Sequence, residues 1–487
     1  NAVSVLPLPV GDTTRTWFPI AISGHPRDWA TVGMPNARAN HARVGTKNGA
    51  NAGDSSGSGT AATIPPTVPG ARRPGPHRRM HHHFGSATVA TRLIGTPCQR
   101  RFWRDRMDIR ITGLKTYVVN ASPGGGNWVF VKVLTNQDGL HGVGEGTVTS
   151  KALTIAAAIE EHERFVVGHD PRNIEWLWQA MYRYPRWRGG PVLNSAISAI
   201  EMALWDIKGK LLGVPVWQLL GGAARDRIRL YAHGSPHSDA GLARIHDLVK
   251  QGYTAIKMGP FDVTGDVVDP RGDVRRGAAA IRRLREAVGD EIDLMVDAHG
   301  LFTPVMAVDF AKQVVDANLT WIEEPCQPED LKSLAWICQR SPVPIATGER
   351  LFTKWGFADM IEQRAVAYIQ PDVSHAGGIS ETRKIAAMAE ARFIDVALHG
   401  ASSEILTAAN FHVDACTPNC TIQEHPLGSP WRYEVVRTSC VVEKGFARLP
   451  DAPGLGVEID EAECARHPYI ADTRSQFTFA DGSVADA

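Results

Sequence analysis

Asp297, Glu323, Glu349, Asp372, His399 and Glu424 recur along the chain at steps of 26, 26, 23, 27 and 25 residues. Each stands at or beside the end of a short apolar run: DLMVDAH, TWIEEP, PIATGE, AYIQPD, DVALHG and TIQEH. Solvated surface charge has no reason to keep such a period, whereas a residue placed once per repeating structural unit does. The first three carboxylates form a hard oxygen set that suits Mg²⁺, with coordination positions left for water or substrate, and no thiolate competes. The alternative is mutual repulsion relieved by raised pKa values, as in a carboxylate pair doing acid and base work without metal. Glu324 adjoins Glu323, and strand alternation sends neighbours to opposite sides, so one of the two is expected to ligate and the spacing does not choose.

The elements that must position these residues follow from the same runs. With IRLYAHG and AIKMG they number eight, alternating with amphipathic helical stretches, which is the pattern of a parallel sheet covered by helices and predicts a (β/α) barrel. In such a barrel all C-terminal strand ends converge on one mouth, so six ionisable groups are expected in one place. His299, two residues after Asp297, should point to the same side of its strand and join them. Ahead of the barrel, the alternating segments IRITGLKTYVV and WVFVKVLT predict a small antiparallel sheet, and SAISAIEMALWDIKGKLL a helix, together an α+β domain. The expected boundaries are 1–106, 107–226, 227–440 and 441–487.

The chain has 487 residues, 43% hydrophobic and 21% charged, enough for several domains and a large core. Its 52 basic and 52 acidic residues are unevenly placed. Residues 1–106 carry fourteen Lys and Arg against four Asp and no Glu, a net charge of +10, which leaves −10 for the remainder. That segment, with runs such as GANAGDSSGSGTAA, lacks sustained periodicity and is expected to be disordered. Its readings are a transit sequence, a nucleic-acid tail, a metal-binding tract through His81, His82 and His83, or extraneous sequence. The acidic remainder lacks a basic footprint, so no nucleic-acid partner is expected. Seven scattered cysteines argue against a disulfide framework and read as reduced thiols. No apolar stretch is long enough to span a membrane and no secretory signal stands out, so a cytoplasmic protein is expected.

From Met107 onward the chain resembles the enolase superfamily in its mandelate racemase branch, and is most similar to the D-galactonate and D-mannonate dehydratase groups. The resemblance rests on RGGPVLNSAISAIEMALWDIKGK, VDAHG, WIEEP, TGERLFTKW, IQPDVSHAGGISE, LHG, IQEH and PGLGVEID. It implies a (β/α)7β modified TIM barrel with an α+β capping domain, the C-terminal segment packing back on the cap. It selects Glu323 over Glu324 as metal ligand beside Asp297 and Glu349, and implies Mg²⁺. It makes Asp372 and His399 a dyad with His399 as base, since a carboxylate fixes the imidazole tautomer and raises its basicity. It makes His299 the acid that assists departure of the 3-hydroxyl, the alternative being a second-layer partner of the metal site. Glu424 would contact the substrate carboxylate, and in a protonated form would donate to the enediolate. Asn127, beside the Gly124 to Gly126 run, and Arg186 in YPRWRGG are the candidates to contact substrate from the cap, the alternatives being an ordinary hairpin turn and domain-interface packing.

One departure narrows the reaction. Where racemases and lactonising enzymes of the branch carry Lys-x-Lys, this chain has Lys257, Met258 and Gly259. The second base is missing, and Lys257 is expected to bind the substrate carboxylate. The implied reaction is dehydration of a sugar acid, galactonate-like, to a 2-keto-3-deoxy acid. Alternatives are a mannonate, gluconate or aldarate dehydratase, an acid-sugar epimerase, or a non-catalytic sensor. A homo-oligomer, at least a dimer, is expected.

Overall fold

The structure, a computed structural model, describes residues 108–123, 126–261, 267–472 and 476–486. The basic segment 1–106, with His81 to His83, Cys98 and the disorder expected there, lies outside the described residues, as do Gly124 and Gly125.

Strands β1 (Ile111–Asn120), β2 (Asn127–Thr135) and β3 (His141–Glu145) pair antiparallel in that order. Alternation along β2 buries Val129, Val131 and Val133 in one apolar cluster with residues of helices Ala152–Val166, Ile174–Arg183 and Gly190–Leu212. The sheet approaches the long helix through glycine. A Cβ on Gly142 would lie 2.0 Å from the Ala203 carbonyl oxygen, and one on Gly144 1.9 Å from that of Ala199, so only the residue without a side chain fits.

The barrel follows. Its strands are β4 (Arg227–His233), β5 (Ala255–Met258), β7 (Asp293–Asp297), β8 (Trp321–Glu323), β9 (Ile345–Thr347), β10 (Tyr368–Ile369), β11 (Asp395–Val396) and β12 (Gln423–Glu424), with a short β6 (Val267–Val268) standing apart. Consecutive barrel strands are parallel neighbours, β12 pairs with β4, and a parallel bridge from Val396 to Cys420 closes the ring. Each of the eight apolar runs supplies one strand. Among the described residues a helix of eight or more residues stands between each strand and the next, from Asp239–Lys250 to Glu404–Cys416, which makes the ring a (β/α)7β barrel. Its inside is filled by Tyr231, Ala255, Met295, Trp321, Ala346, Ala397 and Ile422, with Tyr368 packed against them. The barrel is a packed plug, and chemistry is left to the mouth above it.

After β12 the chain returns to the first sheet. The Asn120 amide donates to the His467 carbonyl at 2.9 Å, Lys132 pairs with Glu461 at 2.9 Å, and His141 and Lys210 meet Glu458 at 2.8 and 2.5 Å. The six described cysteines are free thiols. Among the described residues no helix is long and apolar enough to cross a membrane.

Candidate active site

Asp297 and Glu323 are the last residues of β7 and β8 and register partners, and Glu349 lies two residues past β9. One carboxylate oxygen from each lies within 4.8 Å of the others. Trp321 Nε1 donates to Glu323 Oε2 at 3.1 Å and the His299 backbone N–H to Asp297 Oδ1 at 3.1 Å, so one carboxylate is held from its own strand and the other from the turn that follows. Burial and the Asp297 charge push the Glu323 carboxyl well up. Burial also acts on Asp297, but Lys257 and His299 outweigh it and bring that carboxyl down to about 2. Glu349 Oε2 is buried without a hydrogen-bond partner among the described residues, His399 Nε2 standing 3.5 Å away. An orphaned oxygen beside two further buried carboxylates is a donor set for a hard cation, and Mg²⁺ fits it.

Lys257 corrects an expectation. Its Nζ lies 2.8 Å from Glu323, 2.8 Å from Glu424 and 3.2 Å from Asp297, with the Tyr231 ring centroid at 5.5 Å. The contact with Glu323 is a hydrogen bond, and those with Glu424 and Asp297 are ion pairs. Its charge faces anions of the chain itself rather than standing open to a substrate carboxylate.

Asp372 and His399 each stand three residues past their strands, β10 and β11, and are themselves bridged in parallel. His399 Nδ1 meets Asp372 Oδ2 at 2.6 Å, while Asp372 Oδ1 accepts from the Ser374 amide and hydroxyl, both at 2.6 Å. A carboxylate only accepts, so Nδ1 carries the proton, and in the neutral ring Nε2 keeps its lone pair. Burial disfavours the imidazolium, but Glu349, Glu424 and Asp372 outweigh it and raise the proton affinity of the ring well above the usual value.

Glu424, the last residue of β12, accepts from His233 Nε2 at 2.5 Å and from the Gly400 amide at 2.7 Å. Burial raises its carboxyl, yet Lys257, His399 and His233 outweigh it and hold it well below the carboxylate range. The protonated donor expected from the sequence is thus corrected: the residue is an ionised acceptor.

His299 reaches the mouth, but not by strand alternation. Strand β7 ends at Asp297, and His299 has φ +48°, a left-handed turn residue whose side chain is 58% exposed. Glu324 likewise has φ +42°, and its carboxylate takes the Arg350 Nε donor at 2.9 Å. Burial, with the Glu349 charge, pushes its carboxyl up to about 8. A cavity of about 160 Å³ is lined by His233, Lys257, Asp297, His299, His399 and Glu424. One of about 470 Å³ shares His299 and His399 with it and is walled by Thr147, Val148 and Thr149 of the first domain, with Arg350 and His375.

Two expected substrate contacts lie elsewhere. The Asn127 amide is committed at both ends, Nδ2 donating to the Ile470 carbonyl at 2.8 Å and Oδ1 accepting its N–H at 3.1 Å, so it ties β2 to the C-terminal segment. Arg186 is exposed with φ +68° and lines neither cavity. Other residues were missed. His233 ends the run IRLYAHG and so obeys the strand-end rule that found the rest. Glu145 gave no such signal: fully buried at the end of β3, it accepts from Ser403 Oγ at 2.6 Å and the Leu406 amide at 3.1 Å, capping the helix that follows His399.

Residues 119–221 match the mandelate racemase / muconate lactonizing enzyme N-terminal domain, and residues 242–463 the family described as enolase C-terminal domain-like. The chain belongs to the mandelate racemase/muconate lactonizing branch of the enolase superfamily. Within this superfamily it is 38% identical over 389 residues to a D-galactonate dehydratase of Ralstonia pickettii, a match covering 78% of this chain and all of the relative. A crystal structure of an enolase from Pantoea ananatis with bound D-gluconate and Mg superposes with TM-score 0.73 at 32% identity, covering 78% of this chain and 100% of that one. The 3,6-anhydro-D-galactonate cycloisomerase of Zobellia galactanivorans superposes with TM-score 0.68 at 31% identity, covering 74% and 99%.

Proposed function

We propose that the protein is a Mg²⁺-dependent sugar acid dehydratase acting on a galactonate-like aldonate. The observation that carries this reading is the pair of histidines, His399 and His299, lining one cavity with Asp297, a member of the three-carboxylate cluster. Asp297, Glu323 and Glu349 would hold the metal. When bound, Mg²⁺ supplies Lewis-acid stabilisation of the charge that develops on the substrate carboxylate as the proton at C2 is removed. His399, its Nδ1 proton fixed on Asp372, takes that proton at Nε2. The C2–H electron pair forms the C2–C3 double bond, the 3-hydroxyl leaves as water with a proton from His299, and the enol tautomerises to the 2-keto-3-deoxy acid. Glu424, ionised and clamped by Lys257, His233 and the Gly400 amide, orients the wall beside the base. The larger cavity, walled by Thr147 to Thr149, receives the distal hydroxyls. The protein is cytoplasmic and a homo-oligomer, its partner a small-molecule sugar acid.

The test is a screen of the full chain, with Mg²⁺ and then with EDTA, against aldonic and aldaric acids, with semicarbazide detecting 2-keto acids. The expected result is a Mg²⁺-dependent hit among the aldonates, abolished by His399→Asn. Turnover of aldarates alone, or silence across the library, overturns the reading.

A further inference from the structure

His233 stands at the last position of β4, where its side chain, 44% exposed, lines the 160 Å³ cavity with His299 and His399. One ring nitrogen is accounted for: Nε2 lies 2.5 Å from Glu424 Oε1. Glu424 accepts the Gly400 N–H at Oε2 and is ion-paired with Lys257 at Oε1, so it meets His233 as an acceptor and that nitrogen carries a proton. Nδ1 has no hydrogen bond or ion pair among the described residues. Its neighbour on the same wall, Lys257, is 4% exposed, donates to Glu323 and is ion-paired with Glu424 and Asp297. Nδ1 of His233 is thus a polar atom of this wall still able to meet a ligand.

We propose that His233 is a substrate-binding residue, holding Glu424 through Nε2 and accepting at Nδ1 a hydrogen bond from a hydroxyl of the sugar acid. This rests on the dehydratase reading and deepens it. The two nitrogens have different isosteres, which separates the two contacts. The amide of Gln reaches toward the Nε2 position and that of Asn toward Nδ1.

The experiment measures kcat and KM for the aldonate found in the screen, and its dissociation constant by calorimetry in a His399→Asn background where turnover is absent. His233→Gln keeps a donor to Glu424 and loses the substrate contact. Its KM and dissociation constant are expected to rise about two- to tenfold, the range for one neutral hydrogen bond, with a smaller fall in kcat. His233→Asn is expected to show the converse, affinity close to wild type with kcat lowered, because Glu424 loses its clamp. Unchanged affinity in the Gln variant overturns the proposal, and so does weaker binding by the Asn variant than by the Gln variant. Thermal unfolding of both variants shows that each is folded, and either one alone decides. Wild-type silence toward every aldonate is a different failure, visible before any variant is made, and removes the dehydratase reading together with this inference.

Discussion

Asp372→Asn tests the dyad with the least change of shape. The Ser374 amide and hydroxyl both donate to Asp372 Oδ1 at 2.6 Å, so the side-chain carbonyl of Asn must stay on that side. Its NH₂ then faces His399 Nδ1 across the present 2.6 Å contact. Two donors cannot share that space, and the ring relieves the clash by moving its proton to Nε2, the atom that would take the C2 proton. The variant thus loses a charge-assisted hydrogen bond, about 1.5–3 kcal/mol, or about ten- to 150-fold in rate. It also inverts the tautomer, a change that costs about 10⁴-fold in the Ser-His-Asp triad. The expected fall in kcat/KM is between about 10² and 10⁴. The assay is semicarbazide detection of product, alongside exchange of the C2 proton with deuterated solvent followed by NMR, both at fixed Mg²⁺. A kcat/KM within about fivefold of wild type in a folded variant would refute the assignment of His399 as a base oriented by Asp372.

Further outcomes are expected. Glu349→Gln removes one of the three clustered carboxylates. By calorimetry its Mg²⁺ affinity should fall by more than the about 10–100-fold typical of losing an outer-layer partner, and an unchanged affinity would place the metal elsewhere. His162, on the first helix of the cap, is buried with neither ring nitrogen bonded among the described residues, and burial brings its pKa down to about 4. The unfolded chain protonates it near 6.5, so its contribution is present above that pH and is lost as pH falls toward 4, roughly 3 kcal/mol in all. Urea unfolding of His162→Leu at pH 7 and pH 4.5 should show a shallower acid loss than wild type; parallel curves would contradict it. Gly144→Ala would press a Cβ to 1.9 Å from the Ala199 carbonyl oxygen. A stability loss of about 1–3 kcal/mol or more is expected, and a wild-type unfolding midpoint would show that β3 can back away from the helix.

The ring of functional residues was legible because a βα unit has a nearly fixed length. Once Asp297 and Glu323 are read as strand ends, the next residue of the set is due about 25 positions later. The structure places them at the ends of successive strands of one closed barrel, with Glu349, Asp372 and His399 two or three residues beyond the end of the named strand. What the period could not convey is which side chain satisfies which. Lys257 is a lone cation on β5 in the sequence, and only the closed ring brings three carboxylates to it. Asn127 meets Ile470 across 343 residues, a pairing without any local signature. Left-handed turns at His299 and Glu324 are also invisible to strand alternation, since the strand has ended where the rule is being applied. His233 was readable by the rule that found its neighbours, but a histidine ending the first run has no preceding member of the series to mark it.

The pairing of β12 with β4 sets the order in which function can arise during synthesis. His233 and Glu424 are 191 residues apart, and their contact requires both strands. Until Glu424 has left the ribosome, the barrel is an open sheet with unpaired edges at β4 and β11, Lys257 lacks one of its three anions, and the Gly400 amide beside the base has no acceptor. Glu145, made much earlier, waits in the same way for Ser403 and Leu406. A shortened chain ending before β12 would therefore be an aggregation-prone sheet carrying a histidine without its surroundings, and activity should appear only when the last strand closes the ring.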